Sequence, residues 1–218
     1  MPAALRRMAT VLAMATFLTP VAAAAAAAAD AGGDAARGKA IAQTVCAACH
    51  GATGNPEAPG IPKLAGQFPE YLAKQLRAFV ATPDAPPQRV NAVMAGIAAT
   101  LSATQIEDVA AYYAGEPRQA GRPRDPARLA RGEALFMRGN ADGDLPACAS
   151  CHRSSGHGIQ PDFPDIAGQD ADYVETQLAV WMETRGHRGK LMSLIAPRIA
   201  PDERTALADY IASLSVAK

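Results

Sequence analysis

The chain has 218 residues, of which 49% are hydrophobic and 19% charged. That balance is globular and excludes collagen-like, charge-rich disordered and polytopic membrane proteins. Lys+Arg and Asp+Glu number 21 each, so no basic excess points to nucleic acid. Aromatic residues make up only 5%, which leaves few large side chains to fill a core. Four cysteines are too few for a disulfide-dense scaffold, and their spacing must decide their role.

Met1 to Ala29 contains no acidic residue. Arg6 and Arg7 form a basic start, Met8 to Leu18 an apolar stretch, and the alanine run beyond Pro20 offers Ala-x-Ala sites. This pattern predicts an export signal over residues 1–29. The rival reading is an uncleaved anchor, because Met8 to Ala29 spans 22 residues, enough to cross a bilayer. Alanine is a weak membrane former and Pro20 interrupts the stretch, which favours cleavage. Removing Arg6 and Arg7 leaves 19 basic against 21 acidic residues, a net −2.

The remainder is a duplication. Cys46-Ala-Ala-Cys49-His50 recurs as Cys148-Ala-Ser-Cys151-His152, at an offset of 102. The same offset carries Pro62-Lys-Leu-Ala-Gly-Gln67 onto Pro164-Asp-Ile-Ala-Gly-Gln169, Tyr71 onto Tyr173 and Gln75-Leu76 onto Gln177-Leu178. Thirteen of 34 positions are identical between 46–79 and 148–181, too many for two unrelated segments. Further on the offset falls to 98, pairing Met94 with Met192 and Tyr112 with Tyr210. Upstream, Arg37-Gly38 matches Arg131-Gly132, so the second copy has eight extra residues before its first cysteine. Asn140 to Asp144 among them reads as a surface loop. Two copies are too few for a solenoid and predict two similar domains, 30–114 and 127–218. The Pro-, Gly- and Arg-rich stretch 115–126 between them suits an exposed connector.

Each copy reads as helical. Ile106, Val109, Ala110 and Tyr113 follow the i, i+3, i+4, i+7 pattern, as do Leu207, Tyr210, Ile211 and Leu214. Ser102 with Gln105 predicts a capping box, and Pro201 suits a first helical position. Tyr71 to Val80 and Tyr173 to Met182 are further expected helices. No stretch alternates convincingly as a strand. A domain of about 85 residues often needs reinforcement, and the missing aromatic bulk points to a non-protein group.

Cys-x-x-Cys-His is the attachment sequence for c-type haem. Two thiols on one helical turn form thioethers with the two vinyl groups, and the adjacent imidazole ligates the iron. Cys46, Cys49, Cys148 and Cys151 would hold two haems, with His50 and His152 on the irons. A Cys46–Cys49 disulfide leaves the paired histidines unexplained. A thioredoxin-like pair requires a βαβ context that is absent. A zinc site would draw ligands from two separate domains.

Met94 and Met192 are candidates for the sixth position, each followed by the last helix of its copy. A thioether favours ferrous iron and raises the potential; the competing fate is ordinary core packing. His157 and His187 are rival ligands, both in polar or Gly-rich segments that suit solvated loops. A backbone carbonyl at or beside Pro62 and Pro164 would orient the proximal imidazoles, or these prolines simply form turns. Gly38 and Gly132 either let the first helix approach the last, against Tyr112 and Tyr210, or are tolerated helix glycines.

Both Cys-x-x-Cys-His motifs, the Pro-x-Leu/Ile-Ala-Gly-Gln segments, Met94 and Met192, and the Ala-x-Tyr final helices together resemble the dihaem cytochrome c4 family. The resemblance covers nearly the whole mature chain. It implies an all-α fold of two tandem class I cytochrome c domains about a pseudo-twofold axis, one covalent haem each, with the haems close through their propionates. It implies His/Met ligation at both irons and a periplasmic electron carrier, sometimes loosely membrane-associated. Its partners would be a quinol–cytochrome c reductase and a terminal haem-copper oxidase. The chain departs from the pattern at Asn140 to Asp144 and at Arg185 to Lys190, both in the second copy.

Saturated coordination argues for electron transfer rather than catalysis. A dihaem peroxidase would need a five-coordinate haem and a longer chain. A fixed haem subunit that takes electrons from a periplasmic dehydrogenase is the other alternative, and the sequence separates it poorly from a free carrier.

Overall fold

The computed structural model describes residues 32–216; the expected export signal over 1–29 lies outside the described residues. In the first half, α1 (Ala35–Ile41) is capped by the Asp34 carboxylate, which accepts from the Ala36 and Arg37 N–H groups. It continues through a π-helical turn, Ala42–Cys46, into α2 (Ala47–His50). Then follow α3 (Pro69–Ala78), α4 (Ala92–Ala98) and α5 (Ala103–Gly115). The expected capping box opens α5: Gln105 N–H donates to Ser102 Oγ, and Ser102 N–H to Gln105 Oε1. The second half repeats the order with α6 (Leu129–Arg138), α7 (Ala149–His152), α8 (Ala171–Ala179), α9 (Trp181–Arg185), α10 (Leu191–Ile195) and α11 (Pro201–Ser213). Pro201 takes the first helical position of α11. Among the described residues the fold is helical, with only isolated bridges at Thr82–Ala85 and Ile159–Phe163.

Each half closes by packing its first helix on its last. α1 crosses α5, and α6 crosses α11. Gly38 and Gly132 mark the crossings. A Cβ on Gly38 would fall 1.9 Å from the Asp108 carbonyl oxygen, and one on Gly132 2.2 Å from that of Ala206. Both would also press on a tyrosine Cβ, of Tyr112 or Tyr210. The close-approach reading of these glycines therefore holds. Around the crossings the first core gathers Leu72, Ile106, Val109, Tyr112 and Tyr113, and the second Leu135, Phe136, Leu145, Leu207 and Ile211.

Two features, the helix over Tyr173 to Met182 and the connector, differ from expectation, while the extra loop agrees with it. The helix anticipated over Tyr173 to Met182 breaks at Val180 (φ −99°, ψ 16°). Arg185 lies over the Trp181 ring one turn earlier in α9 at 4.1 Å, and the break lets it donate to Gln177 Oε1 at 3.0 Å, so a buried guanidinium finds partners. The extra loop of the second copy is exposed over Ala141–Asp144 but ends on buried Leu145. Asn140 closes it by accepting from the Leu145 N–H. The connector 115–126 is largely exposed, yet Arg118 within it is buried. Ion pairing is the reason: Arg118 reaches Asp165, Arg122 reaches Asp170, and Arg124 reaches Glu175 and Asp209.

Candidate haem sites

In both halves the motif histidine ends a short helix, and the chain then turns at positive φ. Gly51 makes that turn at 75°, and Arg153 at the equivalent position accepts 60°. The turn carries the following loop back under the imidazole. His50 Nδ1 lies 3.1 Å from the Pro62 carbonyl oxygen, and His152 Nδ1 lies 3.0 Å from that of Pro164. A carbonyl can only accept, so Nδ1 carries the hydrogen and Nε2 is left as a lone pair. Burial holds both imidazoles below the ordinary histidine pKa, against the pull of these hydrogen bonds. The result is a neutral, oriented nitrogen ligand in each half.

The first thiol of each motif sits one helical turn before the histidine, and the second immediately before it. Cys46 closes the π-helical turn and Cys148 precedes α7. No disulfide joins any of the four cysteines. Burial pushes the Cys46 thiol up, and the Cys148 thiol up to about 11. Kept protonated in this way, Cys46 and Cys148 are poor thiolate ligands. Among the described residues no three His, Cys, Asp or Glu side chains gather into a metal-holding group, so the two Cys-x-x-Cys pairs do not converge as a zinc site requires.

Met94 lies in the first turn of α4, its N–H donating to Asn91 Oδ1 at 2.9 Å. Met192 lies in the first turn of α10, which starts after Lys190 at φ 54° with no side-chain cap. Both methionines are half-buried. Of the rival ligands, His187 is exposed in the turn Gly186–Gly189. His157 is half-buried with Nδ1 3.2 Å from Asp165 Oδ2, so it is held by a carboxylate rather than solvated.

The seam between the halves gives contacts to residues that the sequence pattern marked only as repeats, and adds Arg89 and Asp170, which it did not mark. The two Pro-x-x-Ala-Gly-Gln segments face each other. Gln67 bonds both backbone groups of Asp165, and Gln169 bonds both of Lys63. Lys63 also pairs with Asp170 in a buried contact. Arg89 donates to Gln75 in its own half and to Tyr173 and Gln177 in the other. Arg185 is buried nearby, and neither arginine has a carboxylate partner among the described residues. Arg118 does pair with Asp165, but its buried Nη2 and the buried Tyr113 hydroxyl have no hydrogen-bond partner among the described residues. Buried cations lacking anions are expensive, so this seam fits a group that brings carboxylates of its own. Haem does so through its propionates, and the free imidazole nitrogens and apolar thiols suit its iron and vinyl groups.

Comparison with known proteins agrees with this geometry. The cytochrome c family model matches the chain twice, over residues 35–114 and 129–215. Cytochrome c4 of Pseudomonas aeruginosa is 42% identical over 188 residues, covering 84% of this chain and 90% of that protein. A thiosulfate dehydrogenase electron acceptor of Thiomonas intermedia is 39% identical over 175 residues, 77% of each chain. The crystal structure of reduced recombinant cytochrome c4 from Pseudomonas stutzeri superposes with a TM-score of 0.75 at 38% identity, over 84% of this chain and 100% of that one. Two cytochrome c units in tandem define a dihaem c-type cytochrome. The chain belongs to the dihaem cytochrome c4 family. It is an electron carrier with two covalently bound haem c groups, and its partners are redox proteins.

Proposed function

We propose that residues 30–114 and 127–218 each hold one haem. Cys46 and Cys49 would anchor the first and Cys148 and Cys151 the second; His50 with Met94, and His152 with Met192, would ligate the irons. The observation that carries this reading is the pair of matched imidazole–carbonyl bonds, His50 to Pro62 and His152 to Pro164. Each fixes the tautomer that presents Nε2 to a metal. The bound group would supply a one-electron ferric–ferrous couple. The chain's own part is to clamp the imidazoles, exclude water and set the surrounding charge. Methionine at both sixth positions would leave no place for substrate, which suits a carrier.

An export signal over 1–29 would carry the chain to the periplasm, where it would be free or loosely associated with the membrane. Among the described residues no helix is long and apolar enough to cross a bilayer. Electrons would pass from a quinol–cytochrome c reductase to a haem-copper oxidase. The similarity to the Thiomonas thiosulfate dehydrogenase electron acceptor favours a second reading, in which the donor is a periplasmic dehydrogenase. Net acidity predicts salt-sensitive docking on basic partner surfaces.

Single Met94→Ala and Met192→Ala variants test the ligation. Each should open one iron to added imidazole and leave the other unchanged. If neither variant binds the added ligand, the methionine assignment is wrong.

A further inference from the structure

We propose that Gln67 and Gln169 are crossed positioning residues, each tuning the iron of the opposite half; this rests on ligation by His50 and His152 as argued above. The Pro62–Lys63 peptide is engaged at both ends. Its carbonyl accepts from His50 Nδ1 at 3.1 Å, and its N–H donates to Gln169 Oε1 at 2.9 Å. The Pro164–Asp165 peptide repeats this across the seam. Its carbonyl accepts from His152 Nδ1 at 3.0 Å, and its N–H donates to Gln67 Oε1 at 3.1 Å. Each glutamine then closes the ring through Nε2, Gln169 onto the Lys63 carbonyl at 3.0 Å and Gln67 onto the Asp165 carbonyl at 2.7 Å. Both glutamines are 6% exposed, so water does not compete for these bonds.

An amide whose N–H is hydrogen-bonded has a more polarised carbonyl, and bonds chained through one peptide strengthen each other. A stronger acceptor on Nδ1–H makes the imidazole a more basic ligand at Nε2. A more basic ligand favours ferric iron and lowers the potential, a lever of the kind that outer-shell hydrogen bonds exert on haem. Gln169 therefore lowers the potential in the first half, and Gln67 lowers it in the second. Neither acts on the histidine of its own half. The potential of each site becomes a property of the docked pair rather than of one domain.

The test uses the full haem-loaded chain with Gln67→Leu, Gln67→Glu and Gln169→Leu. Potentials are measured by spectroelectrochemistry and assigned to each half from hyperfine-shifted proton NMR signals. Gln67→Leu removes the acceptor. It should raise the potential of the His152 site by about threefold in the one-electron equilibrium, roughly 28 mV at 59 mV per decade, with the His50 site unmoved. Gln67→Glu keeps an acceptor and should leave the His152 site at or below its original potential. Gln169→Leu should raise the His50 site alone, and carries the same test if Gln67→Leu does not fold. A shift in the variant's own half, an equal shift in both, or none overturns the crossed relay. A wild-type protein whose hyperfine-shifted signals show no histidine on the irons overturns the ligation by His50 and His152 instead, and the relay with it.

Discussion

Lys63 and Asp170 meet across the seam at 2.5 Å, with both side chains 3% exposed. Burial pushes the Lys63 ammonium below its ordinary pKa even though Asp170 opposes the shift. Asp170 is better provided for, because Arg122 also donates to it at 2.7 Å. The pair is therefore unequal. Asp170→Asn strands a buried ammonium and should destabilise the protein by about 3–5 kcal/mol. Lys63→Met leaves Asp170 with Arg122 and should change stability by less than about 1.5 kcal/mol, given its similar volume. Denaturant unfolding of the haem-loaded chain measures both. Equal losses would show that the two charges contribute alike.

Acid should loosen the fold through the same carboxylates. For Asp170, burial alone would raise the pKa, but hydrogen bonds from Arg122 and Lys63 outweigh it and hold the group low. For Asp108, the hydrogen bond from Arg37 leads in lowering it. A carboxyl with a depressed native pKa contributes stability that is complete above its unfolded value, about 3.9 for aspartate. That contribution disappears as pH falls through the native value. Denaturation midpoints should be flat with respect to these groups above about pH 5 and fall below about pH 4. Arg37→Gln should weaken this dependence. Stability that rises on acidification through this window contradicts the assignment.

The helix crossings give a prediction independent of charge. In Gly38→Ala or Gly132→Ala the new methyl meets backbone oxygen, at 1.9 Å or 2.2 Å, rather than a side chain able to swing away. Each should cost at least the upper end of the roughly 1–3 kcal/mol typical of overpacking. Gly96→Ala in α4, where nothing lies within 4 Å of the added carbon, should be neutral or slightly stabilising. Thermal unfolding of the three variants side by side checks the ordering.

What could be read from the sequence was what the duplication repeats. The two motifs, the two proline carbonyls and the two crossing glycines each occur twice, so one copy served as a check on the other. The unrepeated features were hidden. Arg118, Arg122 and Arg124 read as a polar connector because their partners lie 47, 48 and 85 residues away, and ion pairs leave no period in a sequence. A signal did exist: Asp162, Asp165, Asp170, Asp172 and Glu175 crowd the second copy, whereas Glu70 alone lies in the matching stretch of the first. Lys63 against Asp165 at one equivalent position marked the same asymmetry. The break at Val180 folds α9 back so that Arg185 meets Gln177, eight residues earlier, a contact that helical periodicity cannot announce.

Everything depends on two porphyrins bound through the motif cysteines. Intact-mass and absorption measurements on protein exported from a host competent in cytochrome maturation test this most directly, with Cys46→Ala/Cys49→Ala and Cys148→Ala/Cys151→Ala beside the wild type. The wild type should carry two haem masses and the weak long-wavelength band of methionine-ligated ferric haem, and each double variant should retain one haem. A colourless wild type with four free thiols, or a double variant that still carries two covalent haems, would contradict the account.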